Sequence, residues 1–187
     1  GESPPSPFVR ENLIAWCIVP FDAAQRGPET RAAMLEKLGI ERLAYDWRDK
    51  DIPTFGDEID ALRRHDIRLQ AFWCPCSLQP EQDKNIATIL DVLKRKNAQT
   101  ELWVSMNNGP LTALEPADRV EAAARAIGWI ATRAEDIGCS VGLYNHGGWF
   151  GDPDNQIAII ERVPNRNVGI VFNFHHGHKE IDEFGAL

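Results

Sequence analysis

Short apolar runs alternate with amphipathic stretches from one end of the chain to the other, and that alternation leaves few folds open. The runs cover residues 13–19, 42–45, 68–73, 102–106, 140–144 and 168–172; helix-period patterns fill 29–38, 55–65, 81–96, 116–137 and 154–163, and a sixth begins near Lys179. Strand-length runs separated by single helices mean parallel βαβ units, because a parallel neighbour is reached only through a crossover connection. Gly39, Asn97 and Gly138 fall just past helix ends, where a left-handed residue closes a helix. The 116–137 pattern opens with Glu115-Pro116-Ala117-Asp118, a proline in the first turn and acids at the positive end of the helix dipole. Right-handed crossovers then bring every strand's C-terminal end to one side of the sheet.

That side collects a polar and aromatic set. Pro20 and Asp22 follow the first run, Asp46, Trp47 and Arg48 the second, Trp73 the third, and Asn107 and Asn108 the fourth. The last two runs end in Tyr144-Asn145-His146-Gly147-Gly148-Trp149 and Asn173-Phe174-His175-His176-Gly177-His178, which hold four of the five histidines. Titratable groups that arrive where a buried strand ends are the pattern of an α/β active site. Aromatic planes beside amides and imidazoles suit a polyhydroxylated ligand, since C–H faces stack on rings while hydroxyls need donors and acceptors. The expected ligand is a sugar or cyclic polyol. Its expected contacts are Asp46, Arg48, Trp73, Asn107, Asn145, Trp149, Asn173 and His175, with His146 and His176 as catalytic residues.

Each choice has a plainer rival. Trp16 and Trp103 lie within strands and read as core, and Trp47, Trp73 and Trp149 divide evenly between ligand contact and packing. Asp46 and Arg48 read equally as a rim ion pair, and Asn107-Asn108-Gly109-Pro110 as a turn. His65, in a polar helix tail, reads as a surface residue near a negative dipole end.

Composition narrows the partners. The 187 residues carry a net charge of −8 with 43% hydrophobic content, enough for one domain over 11–187 after a flexible leader over 1–10 that contains Ser3-Pro4-Pro5-Ser6-Pro7. An acidic chain whose few basic clusters, Arg63-Arg64 and Lys94-Arg95-Lys96, read as solvated helix faces is a poor partner for nucleic acid or an anionic membrane, and no apolar run approaches the roughly 20 residues of a membrane span. The first residue is Gly1, so the compartment stays open between the cytoplasm and export after loss of an upstream signal. Cys17 and Cys139 read as buried thiols, and Cys74-Pro75-Cys76 lacks the second pair a structural zinc site would need.

With these residues in view, the chain resembles the sugar phosphate isomerase/epimerase group of the xylose-isomerase-like TIM barrels, a superfamily that also includes endonuclease IV and inosose dehydratases. The resemblance runs over essentially the whole chain and is most specific at Asn145-His146-Gly147-Gly148 with Asp152-Pro153-Asp154, and at Asn167-Val168-Gly169-Ile170 leading to Asn173 and His176. It implies an incomplete TIM-barrel of about six of eight βα units, since a full barrel takes about 250 residues. The expected chain is therefore a fragment, or an open sheet whose exposed edges favour homo-oligomers. It also implies proton transfer next to a sugar carbonyl, aided by a divalent metal held by a Glu and an Asp. Those two positions are Tyr144 and Asn173 here. One carboxylate near a unit charge contributes about 4 kcal/mol at 4 Å and an effective dielectric of 20, about twice that for a divalent ion. The expected metal is accordingly Zn, Mn or Co on His146 and His176, with His175 or His178 in support and magnesium disfavoured. A catalytically degenerate carbohydrate-binding barrel is the alternative.

Overall fold

A computed structural model describes residues 9–178. Five strands, β1 (Arg42–Tyr45), β2 (Arg68–Cys76), β3 (Glu101–Met106), β4 (Ser140–Tyr144) and β5 (Val168–Val171), form one parallel sheet in the order β1-β2-β3-β4-β5. The helices are α1 (Ile18–Phe21), α2 (Pro28–Leu38), α3 (Phe55–Arg64), α4 (Lys84–Arg95), α5 (Asn108–Thr112), α6 (Pro116–Glu135) and α7 (Pro153–Ile160). Neighbouring strands consecutive in sequence are what repeated βα units produce, and the arrangement is that of a partial TIM barrel. Gly39, Asn97 and Gly138 all take positive φ beyond their helices, as expected of closing residues. The start of the sixth helix near Lys179 and most of the 1–10 leader lie outside the described residues.

The first run is not a strand. Only Ala15 pairs, with Leu43, through Ala15 N–H to the Arg42 carbonyl at 2.9 Å and Ala44 N–H to the Ala15 carbonyl at 2.8 Å. Cys17 then turns left-handed at φ 57° and the chain winds into α1, which tolerates Pro20 because a first-turn residue has no intrahelical acceptor to lose. A continuous apolar run carries no period by which strand and helix can be told apart.

Contacts group the chain into two compact units, Gly1–Trp73 with Val92–Thr100 and Cys74–Asp91 with Glu101–Leu187. In the first, Tyr45, Phe55 and Phe72 meet edge to face with centroids 5.1–5.8 Å apart, over buried Leu35, Ile59 and Leu62. Arg31 of α2 and Glu58 of α3 form a buried ion pair, and Arg31 also donates to the Arg26 carbonyl at 2.6 Å. Burial pushes the Glu58 carboxyl up, against the pull of Arg31. In the second unit α6 lays Ala123, Ala126, Ile127, Ile130, Ala131 and Ala134 toward the core, fully or nearly fully buried. Alanine favours helix and leaves little bulk, so α6 approaches β4 closely. Tyr144 is opposite Val171 in the β4–β5 register, which brings the two histidine segments out side by side.

Candidate active site

The site in the second unit begins where the β4–β5 ladder stops. Asn145 carries the pairing further with its side chain: its Oδ1 accepts from Asn173 N–H at 2.7 Å, and its Nδ2 donates to the Asn173 carbonyl at 3.1 Å. The Asn173 amide is committed as well, donating to the Tyr144 hydroxyl at 2.7 Å and accepting from His175 N–H at 2.9 Å. The Asn173 carbonyl also receives His176 N–H at 3.0 Å and Gly177 N–H at 3.1 Å, so the chain after β5 coils tightly around this residue. Both asparagines thus fix the segments that carry the imidazoles.

The rings gather in consequence. His146 and His176 lie with centroids 4.7 Å apart at 61°, and His175 is 5.2 Å from His176. Tyr144, itself buried, meets His146 at 5.7 Å and His176 edge-on at 5.8 Å. Trp103 of β3 stacks on the Tyr144 ring at 6.0 Å and 11°. Trp103 is half-buried, not core as its mid-strand place suggested, because its face lies over Tyr144 and its Nε1–H donates to Glu101 Oε1 at 2.6 Å. The His178 ring lies 6.0 Å from that of His175. Partial burial, followed by the neighbouring charges of His146 and His175, lowers the pKa of His176 below the ordinary histidine value.

The loop that carries His146 is shaped by glycine. Gly147 and Gly148 take φ of 85° and 68°, and a Cβ at Gly148 would collide with the Asn108 amide. Half-buried Trp149 follows, its carbonyl accepting from Asn155 Nδ2 at 2.8 Å, and Asp152 caps α7 by accepting from Asp154 N–H at 2.9 Å. Asn107, an expected ligand contact, is exposed and caps α5 by accepting from Gly109 N–H at 3.0 Å. The Asn107–Pro110 stretch is therefore the start of a short helix rather than a simple turn. Asn108, absent from the expected contacts, bonds across to the His146 loop. Nothing local in the sequence signals this, because its partners lie 39 and 42 residues away.

The first unit holds the other expected residues. Asp46 is 4% exposed and Trp47 3%, so neither stands open at a rim. Trp47 packs edge-on against Phe55 and donates Nε1–H to the Trp73 carbonyl at 2.7 Å. The exposed Arg48 guanidinium lies 5.7 Å from the Trp73 ring centroid and donates to the Trp47 carbonyl at 2.8 Å; no Asp46–Arg48 ion pair forms among the described residues. Burial raises the Asp46 carboxyl to about 6, opposed by the Arg48 charge and a hydrogen bond from Cys17, and burial with the Asp46 charge takes the Cys17 thiol to about 11. His65 is no free surface group: Nδ1 faces Glu36 Oε2 at 2.7 Å and Nε2 faces Glu29 Oε1 at 2.9 Å.

A resident divalent metal fits these residues poorly. Where the resemblance puts two carboxylates, Tyr144 and Asn173 hydrogen-bond directly to each other at 2.7 Å, a neutral pair that needs no cation between them. Two imidazoles supply only half of the about four ligands zinc takes, and among the described residues no group of three or more His, Cys, Asp or Glu is arranged to hold an ion.

The fold is that of the xylose-isomerase-like TIM barrels. The chain is similar to a probable 3-DHS dehydratase from Bacillus anthracis, with 13% identity over 93% of this chain and 68% of that one and a TM-score of 0.65. It is similar also to a D-psicose 3-epimerase from Clostridium cellulolyticum solved with D-tagatose, at 15% identity, 92% and 67% coverage and a TM-score of 0.64. A xylose isomerase-like TIM barrel protein from Mycobacterium smegmatis, solved in complex with magnesium, matches at 15% identity, 79% and 56% coverage and a TM-score of 0.51. The chain thus spans between about half and two thirds of the length of these structures. No family model and no curated protein sequence matches it. No helix among the described residues is long and apolar enough to cross a membrane.

Proposed function

We propose that this chain is a sugar isomerase or epimerase that moves a proton on a carbon next to a carbonyl, with His146 and His176 as its acid–base pair. The observation that carries the reading is the juxtaposition of the two imidazoles, 4.7 Å between centroids, at the ends of adjacent strands. The lowered pKa of His176 supports it, since a base must be unprotonated at neutral pH. In the proposed step one neutral imidazole takes the proton from the α carbon, and the C–H electron pair becomes the C=C bond of an enediol. The carbonyl oxygen receives a proton from the partner imidazolium. Delivery of a proton to the former carbonyl carbon, with the α-carbon hydroxyl giving its proton to the now neutral partner imidazole to form the new carbonyl, gives isomerisation; delivery by the partner side to the opposite face of the α carbon, with the enol O–H proton returned to an imidazole as the original carbonyl re-forms, gives epimerisation. The fold is shared with an epimerase solved with D-tagatose and another in the presence of D-fructose, which supports a sugar or polyol as ligand.

The remaining roles follow from commitment and exposure. Asn145 and Asn173 spend their amides on each other's segment and on Tyr144, so they position the histidines. Trp149 and His175 are the proposed sugar contacts beside the pair. No step is routed through a metal. The second reading, a barrel that binds sugar without turning it over, is favoured by one observation: the Tyr144–Asn173 pair stands where the resemblance puts both acids.

Turnover of aldoses and ketoses by the intact protein, His146→Ala and His176→Ala separates the two, with metal content measured on each sample. The proposal expects each substitution to lower kcat by roughly 100-fold or more, with no stoichiometric metal. Sugar binding without turnover in the unaltered protein establishes the binding barrel. Stoichiometric metal lost in both variants establishes a metal-assisted enzyme.

A further inference from the structure

We infer that Asn108 is a positioning residue of the His146–His176 pair, a clamp that sets the distance between the two imidazoles; this rests on the acid–base reading above. Asn108 leaves β3 at the first turn of α5, where the Asn107 cap and the Thr112 hydroxyl, donating to the Asn108 carbonyl at 3.0 Å, fix its backbone. Its amide crosses to the loop after β4 and grips it twice. Nδ2 donates to the Gly147 carbonyl at 3.3 Å, and Oδ1 accepts from Phe150 N–H at 2.8 Å. The two bonds bracket Gly148, whose Cα lies so close to the amide that any side chain there would collide with it. Phe150 is 1% exposed and anchors the far side of the loop in the core.

Consequently the residue directly after His146 is tied to the first turn of α5, while His176 is tied to the end of β5 through Asn173. The imidazoles approach because two separate asparagine systems hold their segments. Asn145–Asn173 closes β4 against β5, and Asn108 keeps the His146 loop from swinging outward. A loop with two successive positive-φ glycines has wide conformational freedom of its own. Its single arrangement needs an external constraint, and the Asn108 amide supplies one.

The test is a ring-proton nuclear Overhauser measurement on labelled protein, which reads the His146–His176 proximity without any substrate. In the unaltered protein, cross-peaks join His146 to His176 and His175 to His176. Asn108→Ala is expected to cause loss of the first and retention of the second. Asn108→Asp retains the acceptor for Phe150 and loses the donor to Gly147, so a weakened His146–His176 peak is expected. If Asn108→Ala does not fold, Gly148→Ala, which drives a methyl group into the amide from the other side, must give the same loss. Both cross-peaks unchanged in folded Asn108→Ala, or in Gly148→Ala when the first is unfolded, overturns the inference. This readout is independent of turnover, so an intact clamp in an inactive protein counts against the acid–base reading alone.

Discussion

Asp46 stands at the end of β1 with Oδ1 buried and without a hydrogen-bond partner. Burial alone would keep such a carboxyl neutral; the Arg48 charge and the Cys17 thiol pull it back, and it titrates at about 6 instead of near 3.8. A carboxyl whose folded pKa is raised contributes stability that is complete below its unfolded value and lost as pH rises through the folded one. The window is therefore pH 4 to 6. Asp46→Asn keeps the shape and an acceptor for Cys17 while removing the charge. Urea unfolding at pH 8 should show it more stable than the unaltered protein by roughly 2 kcal/mol, with the difference vanishing near pH 4. A variant less stable at both pH values contradicts this account. In the sequence Asp46 was legible as polar and at a strand end, which made it a ligand contact; its burial was not, because depth is set by neighbours distant in sequence, among them Cys17, whose thiol hydrogen-bonds the carboxyl.

At the scale of elements, side chains from far along the chain complete what the backbone begins. His65 follows α3 and is held by Glu29 and Glu36 of α2, 36 and 29 residues earlier, with Arg64 also on Glu29. A neutral imidazole has one donor and one lone pair, so only the imidazolium satisfies both carboxylates. Hydrogen bonds to Glu29 and Glu36 accordingly raise the His65 pKa. The resulting stability is complete below about pH 6.5 and lost as pH rises through the folded value. Thermal unfolding from pH 6 to pH 9 should fall more steeply for the unaltered protein than for His65→Gln, and parallel profiles would contradict the clamp. Helix periodicity gave α2 and α3 within a residue or so, yet carried no information on which faces meet. The same holds for α5, whose Asn-Asn-Gly-Pro sequence is turn chemistry that a cap at Asn107 converts into a helix.

For the whole molecule, the repeated βα pattern was enough to place strands β1 and β4 to the residue and to order the sheet, because parallel topology follows from alternation. The first run was misread because its apolar residues had no period; the two histidine segments come out side by side because strand register sets Tyr144 beside Val171. That both acidic positions are replaced was visible in the sequence; that Tyr144 and Asn173 bond to each other, making a self-sufficient neutral pair, required the fold. The proposed activity of His146 and His176 is movement of a proton next to a sugar carbonyl. It is tested most directly by incubating the protein with ketohexoses in D2O and following deuterium incorporation beside the carbonyl by NMR, with and without chelator. Incorporation is expected to survive the chelator and to disappear in His146→Ala and His176→Ala. Incorporation that both variants retain, or none with a sugar shown to be bound, contradicts it.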